Sequence, residues 1–159
     1  MRKTVIAILI SILTFVVGFA QQEADCLKVN ASISPRYLSR GQEGKVALKI
    51  TLAEGIAINP QPSFIIECDP STELIFPKNF FTASDLEIEI KEENGEEYLN
   101  FEKPIEIPFT VSLEAKRGNH TFGGKIKYFA FSEKDGWCLK SSSKFSASFY
   151  TRSTRIKKD

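Results

Sequence analysis

The chain has 159 residues, of which 42% are hydrophobic and 26% are charged, and its formal net charge is +1. That length is sufficient for one domain with a buried core. The balanced charge excludes the strongly basic composition that is typical of proteins binding nucleic acid or an anionic membrane surface.

The first twenty residues have the composition of an export signal. Arg2 and Lys3 form a positive N-terminal region, an uncharged apolar run spans residues 5–17, and small residues lead to Ala20. We therefore predict a signal peptide over residues 1–20. The alternative is a transmembrane anchor, which the shortness of the apolar run disfavours. The mature chain is expected to be periplasmic or secreted, without stable membrane insertion.

Almost everything after residue 28 has the pattern of strands and turns. In KVALKITL, residues 45–52, every second residue is apolar, which predicts a half-buried strand. LEIEIK, residues 86–91, alternates in the same way and predicts a strand with Leu86, Ile88 and Ile90 inward. Asn94-Gly95 follows, and this pair favours a tight hairpin turn because both residues tolerate positive φ. Further strands are predicted from EYLNFE, IEIPFTVSLEA, HTFGGKIKYFAF and KFSASFY.

These runs amount to about eight or nine short strands with turn residues between them, and no helical period exceeds about one turn. The pattern predicts an all-β fold, an antiparallel immunoglobulin-like β-sandwich, over residues 21–150. A basic C-terminal tail is predicted over residues 151–159. Pro108 lies inside a strand pattern, which indicates an edge position or a bulge.

Few side chains in this composition are suited to catalysis or metal binding. His120 is the single histidine, so neither a histidine-based metal site nor a Ser-His-Asp triad is expected. The cysteines lack the short spacings of zinc sites. We interpret the acidic run at residues 92–97 as a solvated hairpin tip rather than as a calcium site. No metal, no cofactor and no nucleic-acid partner are predicted.

Three cysteines, Cys26, Cys68 and Cys138, remain as candidates for chemistry. An oxidising compartment permits disulfides, and an odd number leaves at least one cysteine unpaired or bonded to another molecule. All three internal pairings stay open, because a bridge requires Cα atoms within about 7 Å. A structural bridge across so long a loop would contribute roughly 3–4 kcal/mol in the chain-entropy model.

Several stretches, in their order along the chain, resemble one known family. They are LAEGIAINP at residues 52–60, ELIFPKNFF at 73–81, the long run from EEYLNFEKP to KYFAF at 96–131, and GWCL at 136–139. From about Val29 to Tyr150 the chain resembles the N-terminal periplasmic domain of the thiol:disulfide interchange protein DsbD. The resemblance implies an immunoglobulin-like sandwich in which two cysteines open and close as a disulfide.

The resemblance also implies positions for the redox site. Cys138 matches the second cysteine of the family and would be its catalytic residue, and Tyr128 matches the tyrosine that precedes the first cysteine. Phe131 occupies the place of that first cysteine, in a loop about one residue longer, and Lys140 stands where proline is usual. Tyr128 and Trp137 are expected to line the site.

A cap loop over the cysteines is a further implication of the resemblance. Here it would be PKNFFTASD, residues 77–85, with Phe80 or Phe81 as the shielding aromatic; the alternative is that both belong to the core. The implied partners are thioredoxin-like proteins or a membrane electron transporter of the DsbD type, and no bound cofactor is needed.

Two functions follow from the sequence. The first is an exported DsbD N-terminal-like domain that takes part in periplasmic thiol–disulfide exchange, or docks to its redox partners, with an incomplete cysteine pair. The second is a non-catalytic immunoglobulin-like binding module that has lost the redox site. The two differ in whether another sulfur lies within bridging distance of Cys138, since a second thiolate must resolve a mixed disulfide.

Overall fold

The computed structural model describes residues 26–61 and 64–155, so the predicted signal peptide lies outside the described residues. Every regular element in these ranges is a β-strand. In the same ranges no helix has the length and apolar character needed to cross a membrane.

One sheet has four antiparallel strands in the order β1, β3, β10, β6. Side chains alternate between buried and exposed along β3 and β10, as the period of two in KVALKITL predicts. The bounds of the strands are β1 Leu27–Ser34, β3 Glu43–Leu52, β6 Leu74–Ile75 and β10 Ile105–Val111.

The second sheet has the order β2, β12, β11, β5, β7, and a short strand, β4, pairs with β11 beyond β5. Strand β2 runs parallel to β12, and the other pairs are antiparallel. A separate two-stranded sheet joins β8 to β9. The bounds are β2 Tyr37–Arg40, β4 Ile56–Ile58, β5 Ile65–Cys68, β7 Phe80–Thr82, β8 Ile90–Glu93, β9 Glu96–Leu99, β11 Gly118–Ser132 and β12 Trp137–Arg155.

The strand order identifies the architecture. In the immunoglobulin fold one sheet carries strands A, B, E and D, and the other carries G, F and C, with C′ added next to C in variable-type domains. Here β1, β3, β10 and β6 take the first set of positions in that order, and β12, β11, β5 and β7 take the second. The predicted all-β, antiparallel immunoglobulin-like β-sandwich is therefore confirmed.

Apolar side chains from the facing sides of the two sheets form one core. Because these side chains leave water together, their burial is the main favourable contribution to folding. The largest fully buried ones are Tyr128, Phe64, Leu27, Leu38, Leu48, Ile58, Ile66, Leu99, Ile107, Ile126, Val46 and Val111.

The strand predicted at LEIEIK is wrong for most of its length. Residues 83–87 form turns, β8 begins at Ile90, and the Ile90 side chain is 52% exposed rather than inward. Thr82 and Asp85 close the local turn: the Thr82 N–H donates to Asp85 Oδ2 at 2.9 Å, and the Asp85 N–H donates to Thr82 Oγ1 at 3.2 Å. These local bonds give the backbone an alternative to a sheet ladder.

The hairpin predicted at Asn94-Gly95 is confirmed. It joins β8 to β9, with φ of 53° at Asn94 and 79° at Gly95. Both values lie in the left-handed region that tight hairpin turns require. The acidic run at residues 92–97 therefore forms the tip of an exposed two-stranded ribbon.

The sandwich continues into the segment that was predicted as a tail. Strand β12 extends to Arg155, and Thr151 pairs with Leu38 of β2 while it is also opposite Gly118 of β11. Thr151 is fully buried. Pairing with β11 and β2 at Thr151, and with β2 alone beyond it, keeps these residues in the sheet, which sequence patterning around residue 151 did not reveal.

Pro108 lies at an open edge, one of the two positions that its sequence context indicated. The Val111 N–H donates to Gln42 O on the β3 side, and the Ser112 N–H donates to Glu73 O on the opposite side. Backbone groups of neighbouring strand residues point in alternate directions, so the Pro108 nitrogen points away from β3. Strand β6 pairs only with residues 110 and 111, so no ladder bond is lost at Pro108.

Candidate functional site

Cys138 and Phe131 are directly opposite each other in the β11–β12 hairpin. A four-residue turn, residues 133–136, joins the two strands and is held from Ser132: its carbonyl accepts from the Gly136 N–H at 2.9 Å, and its hydroxyl accepts from the Asp135 N–H at 3.2 Å. Gly136 has φ of 67°, which favours glycine at this place. The sequence of the turn thus fixes the register that brings positions 131 and 138 together.

Both side chains lie on the outer face of the sheet. The even-numbered residues of β11 from 122 to 132 are buried against the core, and the odd-numbered ones, Phe131 included, are partly exposed on the other face. Residues opposite each other in an antiparallel pair share a face, which places Cys138 outside as well. Cys138 is an exposed, free thiol.

Position 131 is the place from which a second sulfur would reach Cys138. Residues directly opposite in an antiparallel ladder have Cα atoms about 4.5–5.5 Å apart, within the limit of about 7 Å for a disulfide. The side chain present there is a phenyl ring. The hairpin therefore has the backbone geometry of a two-cysteine site but carries only one of the two sulfurs.

Neither of the other cysteines can supply the missing sulfur. Cys68 is a free thiol on β5, the strand that pairs with β11 on the side away from β12. It is opposite Gly124 of β11 and packs against the core. Positions 124 and 131 are seven residues apart, which is about 24 Å along a strand. Cys26 is buried next to β1 in the other sheet. The three pairings that the sequence left open are therefore not formed.

The environment of Cys68 makes it a poor nucleophile. Burial, followed by the nearby negative charge of Asp69, raises the pKa of its thiol to about 11. A thiol with so high a pKa is almost entirely protonated at neutral pH, and the thiolate is the reactive form.

Tyr128 and Trp137 do not share the face of Cys138. Tyr128 is 1% exposed and points into the core, where its hydroxyl lies 3.2 Å from Ser143 Oγ. Trp137 pairs with Ser132 on the core side at the end of the hairpin and packs against the core. The structure thus places both residues beneath the sheet and only Phe131, of the predicted set on this hairpin, beside Cys138.

Phe80 and Phe81 lie on β7, at the edge of the sheet beyond β5. Phe81 is buried in the core, whereas Phe80 is 54% exposed on the outer face, opposite Glu67, which is in turn opposite Lys125. Lys125 and Phe131 are six residues apart on β11, about 20 Å. The segment PKNFFTASD is therefore not brought over Cys138 in this arrangement.

A different segment lies next to the Phe131 end of β11, and sequence reasoning missed its place. The β8–β9 ribbon borders a groove of about 590 Å³ whose lining includes Phe131, Ala57 and Tyr98. The Asn94-Gly95 signal predicted the hairpin itself, but its position depends on long-range packing. The groove thus joins the predicted site on the side away from β12.

The polar groups around the site offer no means of binding a metal. In the part of the chain that the structure describes, no three His, Cys, Asp or Glu side chains are grouped so as to hold an ion. Lys140 is beside the site, with its ammonium 6.0 Å from the centre of the Phe129 ring. What the arrangement can do chemically is present one nucleophilic sulfur next to aromatic surface.

The chain matches no described protein family and no curated protein. Among solved structures it is similar to the cohesin module of a family 33 glycoside hydrolase from Clostridium perfringens, at 10% identity and a TM-score of 0.40, covering 79% of this chain and 96% of that chain. It is similar to the seventh ScaB type I cohesin from Pseudobacteroides cellulosolvens, at 16% identity and a TM-score of 0.43, covering 82% and 96%. It is also similar to BcpA, the major pilin subunit of Bacillus cereus, at 12% identity and a TM-score of 0.44, covering 80% of this chain and 40% of that one. At these identities and scores the similarity carries no information about the site.

Proposed function

We propose that this chain is an exported, non-catalytic immunoglobulin-like binding module. The observation that supports this proposal is the phenyl ring of Phe131 opposite Cys138, where a redox hairpin of the DsbD type needs a second cysteine. The export signal predicted from residues 1–20 supports the periplasmic or secreted location.

The chemistry of disulfide exchange explains why one sulfur is insufficient for turnover. The Cys138 thiolate attacks a substrate disulfide, one substrate sulfur leaves as a thiolate, and the substrate stays joined to Cys138 as a mixed disulfide. Release requires a second thiolate that attacks the Cys138 sulfur. Cys68 is about 24 Å away along β11 and faces the core, and Cys26 is buried next to the other sheet, so neither lies beside Cys138 on the outer face.

A second candidate function retains the resemblance to the DsbD N-terminal domain. An exposed thiol at the position of the family's second cysteine favours a docking or relay role, in which the resolving thiol comes from another protein. The partners would be thioredoxin-like proteins or a membrane electron transporter of the DsbD type. This role differs from the first because it requires Cys138 to form a transient bond to the partner.

Turnover of a disulfide substrate tests the primary proposal. The mature protein, reduced and freed of reductant, is mixed with excess insulin, and the thiols released are counted per chain. We expect at most about one mixed disulfide per chain and no further turnover, because resolution needs a second thiol. With dithiothreitol added both to the sample and to a blank without the chain, release of several equivalents of substrate thiol per chain in excess of the blank would overturn the non-catalytic assignment.

Two variants sharpen the test. Cys138→Ser should abolish the mixed disulfide and leave the fold intact, because the side chain is exposed. Phe131→Cys should restore a pair of sulfurs, so each reduced chain should reduce one substrate disulfide, release two substrate thiols and close its own bridge between positions 131 and 138. To test the second candidate, a thioredoxin-like protein that lacks its own resolving cysteine is activated at its remaining cysteine as the mixed disulfide with thionitrobenzoate. Attack by the Cys138 thiolate then releases thionitrobenzoate; a stable adduct at Cys138 supports docking, and its absence leaves only the binding module.

A further inference from the structure

The groove beside Phe131 has the size of a ligand site, and Cys138 is not part of its lining. It lies between the β8–β9 ribbon, the end of β3, strand β4 and the end of β11, and its volume is about 590 Å³. Small-molecule and side-chain pockets of proteins occupy about 300–1,000 Å³. The groove is thus large enough for one or two side chains of a partner.

The floor of the groove is apolar. Leu99 is buried there, and Leu52, Ile56 and Phe101 are partly buried and pack against the core. Phe131 completes the floor at its β11 end. Apolar surface of this kind favours aliphatic or aromatic groups because their contact with it removes both from water.

The rim of the groove is acidic. Glu93 and Glu96 line it from the ribbon, and Glu133 lines it from the turn between β11 and β12. The cation on this rim, Lys91, is already bonded to Glu102, with its ammonium 2.6 Å from Oε1. Among residues 26–61 and 64–155, no ion pair is formed by Glu93, Glu96 or Glu133. The rim therefore carries uncompensated negative charge above an apolar floor.

We propose that this groove binds a basic amphipathic segment of a partner protein, in which a lysine or arginine is flanked by apolar side chains. The aliphatic part of a lysine or arginine covers apolar surface while its charged end stays at the polar rim. Such a side chain would meet the floor with its methylene groups, and its cation would meet the three carboxylates that form no ion pair among the described residues. This inference rests on the proposed function as a binding module and names the partner chemistry.

Charge complementarity is the reason for a basic occupant rather than a neutral or acidic one. An anionic segment would meet the like charges of Glu93, Glu96 and Glu133, which is unfavourable. Steering by the acidic rim also predicts that association slows as salt increases, because exposed charges are screened over about 8–10 Å at physiological ionic strength.

A peptide titration of the ¹⁵N-labelled mature protein tests the inference. The probe is the peptide acetyl-Leu-Lys-Phe-Lys-Leu-amide, and its counterpart has glutamate in place of both lysines. We expect the lysine peptide to shift the amide resonances of Glu96, Phe131 and Glu133, and to bind at least about tenfold more tightly than the glutamate peptide at low salt. No saturable shift with the lysine peptide, or equal affinity for both peptides, overturns the proposal.

Two double variants of equal charge separate the groove from general electrostatics. Glu96→Lys with Glu133→Lys should weaken binding roughly tenfold, because each reversal replaces an exposed attraction by a repulsion. Glu43→Lys with Glu114→Lys adds the same charge at exposed positions of the opposite end, and should change the affinity by less than about twofold. Equal losses in the two double variants would mean non-specific attraction and would overturn the site.

The floor and the occupant are tested separately. Phe131→Ala should weaken binding severalfold at constant charge, and an unchanged affinity would contradict the assigned floor. Self-association that is lost in the Glu96→Lys, Glu133→Lys variant would mean that the occupant is a second copy, contrary to the proposal. The insulin assay is independent of these measurements, so a failed titration leaves the non-catalytic assignment standing, and observed turnover leaves the groove standing.

Discussion

Two positions of β11, one in the middle of the strand and one near its end, each have a cysteine opposite them, and the two thiols differ in their exposure to solvent. Cys68 is opposite Gly124, faces the core, and has a pKa raised to about 11, chiefly by burial. Cys138 is opposite Phe131 and is exposed on the outer face.

The difference follows from strand geometry. Side chains alternate across a strand, so an even and an odd position of β11 select opposite faces for the residues paired with them. Position 124 faces the core and position 131 faces outward. One strand thus places one thiol in a protected structural environment and the other where a partner can reach it, about 24 Å away along the strand.

The largest expected effect is on alkylation. At pH 8 a thiol with a pKa of about 11 is ionised in roughly one molecule per thousand, whereas a cysteine in an unstructured peptide is about one quarter ionised. With burial added, iodoacetamide should modify Cys68 at least about 100-fold more slowly than Cys138 in the native protein. Peptide mapping by mass spectrometry over a time course measures both rates.

Denaturant provides the control for this prediction. In about 6 M guanidinium the burial of Cys68 is lost, so the two rates should agree within a few-fold. Native rates that differ by less than tenfold would contradict the assignment of a protected and an available thiol.

The second effect is a new bridge at the Phe131 end. Phe131→Cys should form a disulfide with Cys138 under mild oxidant, because the two positions are directly opposite. Closing a loop of about eight residues should stabilise the oxidised variant over its reduced form by roughly 2 kcal/mol in the chain-entropy model. The measurement is the difference in midpoint between oxidised and reduced samples in guanidinium unfolding.

A matched variant isolates the geometry. Ala130→Cys would face the core, on the opposite side of the sheet from Cys138, so it should not bridge to Cys138. Failure of the Phe131→Cys variant to oxidise, with thiols still accessible to alkylation, would contradict the register that pairs positions 131 and 138.

The same geometry explains what the sequence could and could not predict. The alternation in KVALKITL and the Asn94-Gly95 turn are local signals, and both lead directly to β3 and to the β8–β9 hairpin. The resemblance to the DsbD N-terminal domain predicts that position 131 belongs to the redox hairpin. In the β11–β12 pairing, position 131 is opposite Cys138. That agreement concerns geometry, and the relation to the DsbD family remains a prediction.

The structure differs from the expected site for two reasons, which are the alternation of side chains along β11 and packing between distant segments. Tyr128 is three residues from Phe131 on the same strand, an odd separation, so the two side chains lie on opposite faces and Tyr128 was excluded from the site by the period of two. The place of the acidic ribbon beside the groove depends on contacts between segments distant in sequence, which no local pattern encodes.

A third effect concerns the packing of β5 against β11 at Gly124, the residue opposite Cys68. A Cβ on Gly124 would collide with the Glu67 carbonyl oxygen and would lie 2.6 Å from Phe145 Cζ. Gly124→Ala should therefore lower the free energy of unfolding by about 1–3 kcal/mol, even though alanine restricts the unfolded chain. Chemical denaturation followed by tryptophan fluorescence measures the loss.

The neighbouring glycine is the control. A Cβ on Gly123 would lie 3.0 Å from Asp69 Oδ2 and 3.2 Å from the Phe145 carbonyl oxygen, both less severe contacts. Gly123→Ala should therefore cost less than Gly124→Ala. An equal or larger loss at Gly123 would contradict the close approach of β5 to β11 at position 124.

The smallest expected effect is a local opening in acid of β7, the strand that pairs with β5 near Cys68. The Lys78 ammonium, and then the N–H and hydroxyl of Thr82, lower the pKa of Asp85 from 3.8 to about 2. A lowered folded-state pKa means that this stabilisation is complete above pH 4 and is lost as the pH falls from about 4 to about 2. Because Thr82 pairs with Ile65 on β5, the loss should loosen β7 first.

Hydrogen exchange, corrected for intrinsic rates, should show reduced protection of the Cys68 N–H, which donates to Asn79 O, with little change in the β11–β12 hairpin. Asp85→Asn should remove this pH dependence, since the amide does not titrate. An equal loss of protection at the Cys68 N–H and in the β11–β12 hairpin would instead indicate global acid unfolding and would contradict a local opening.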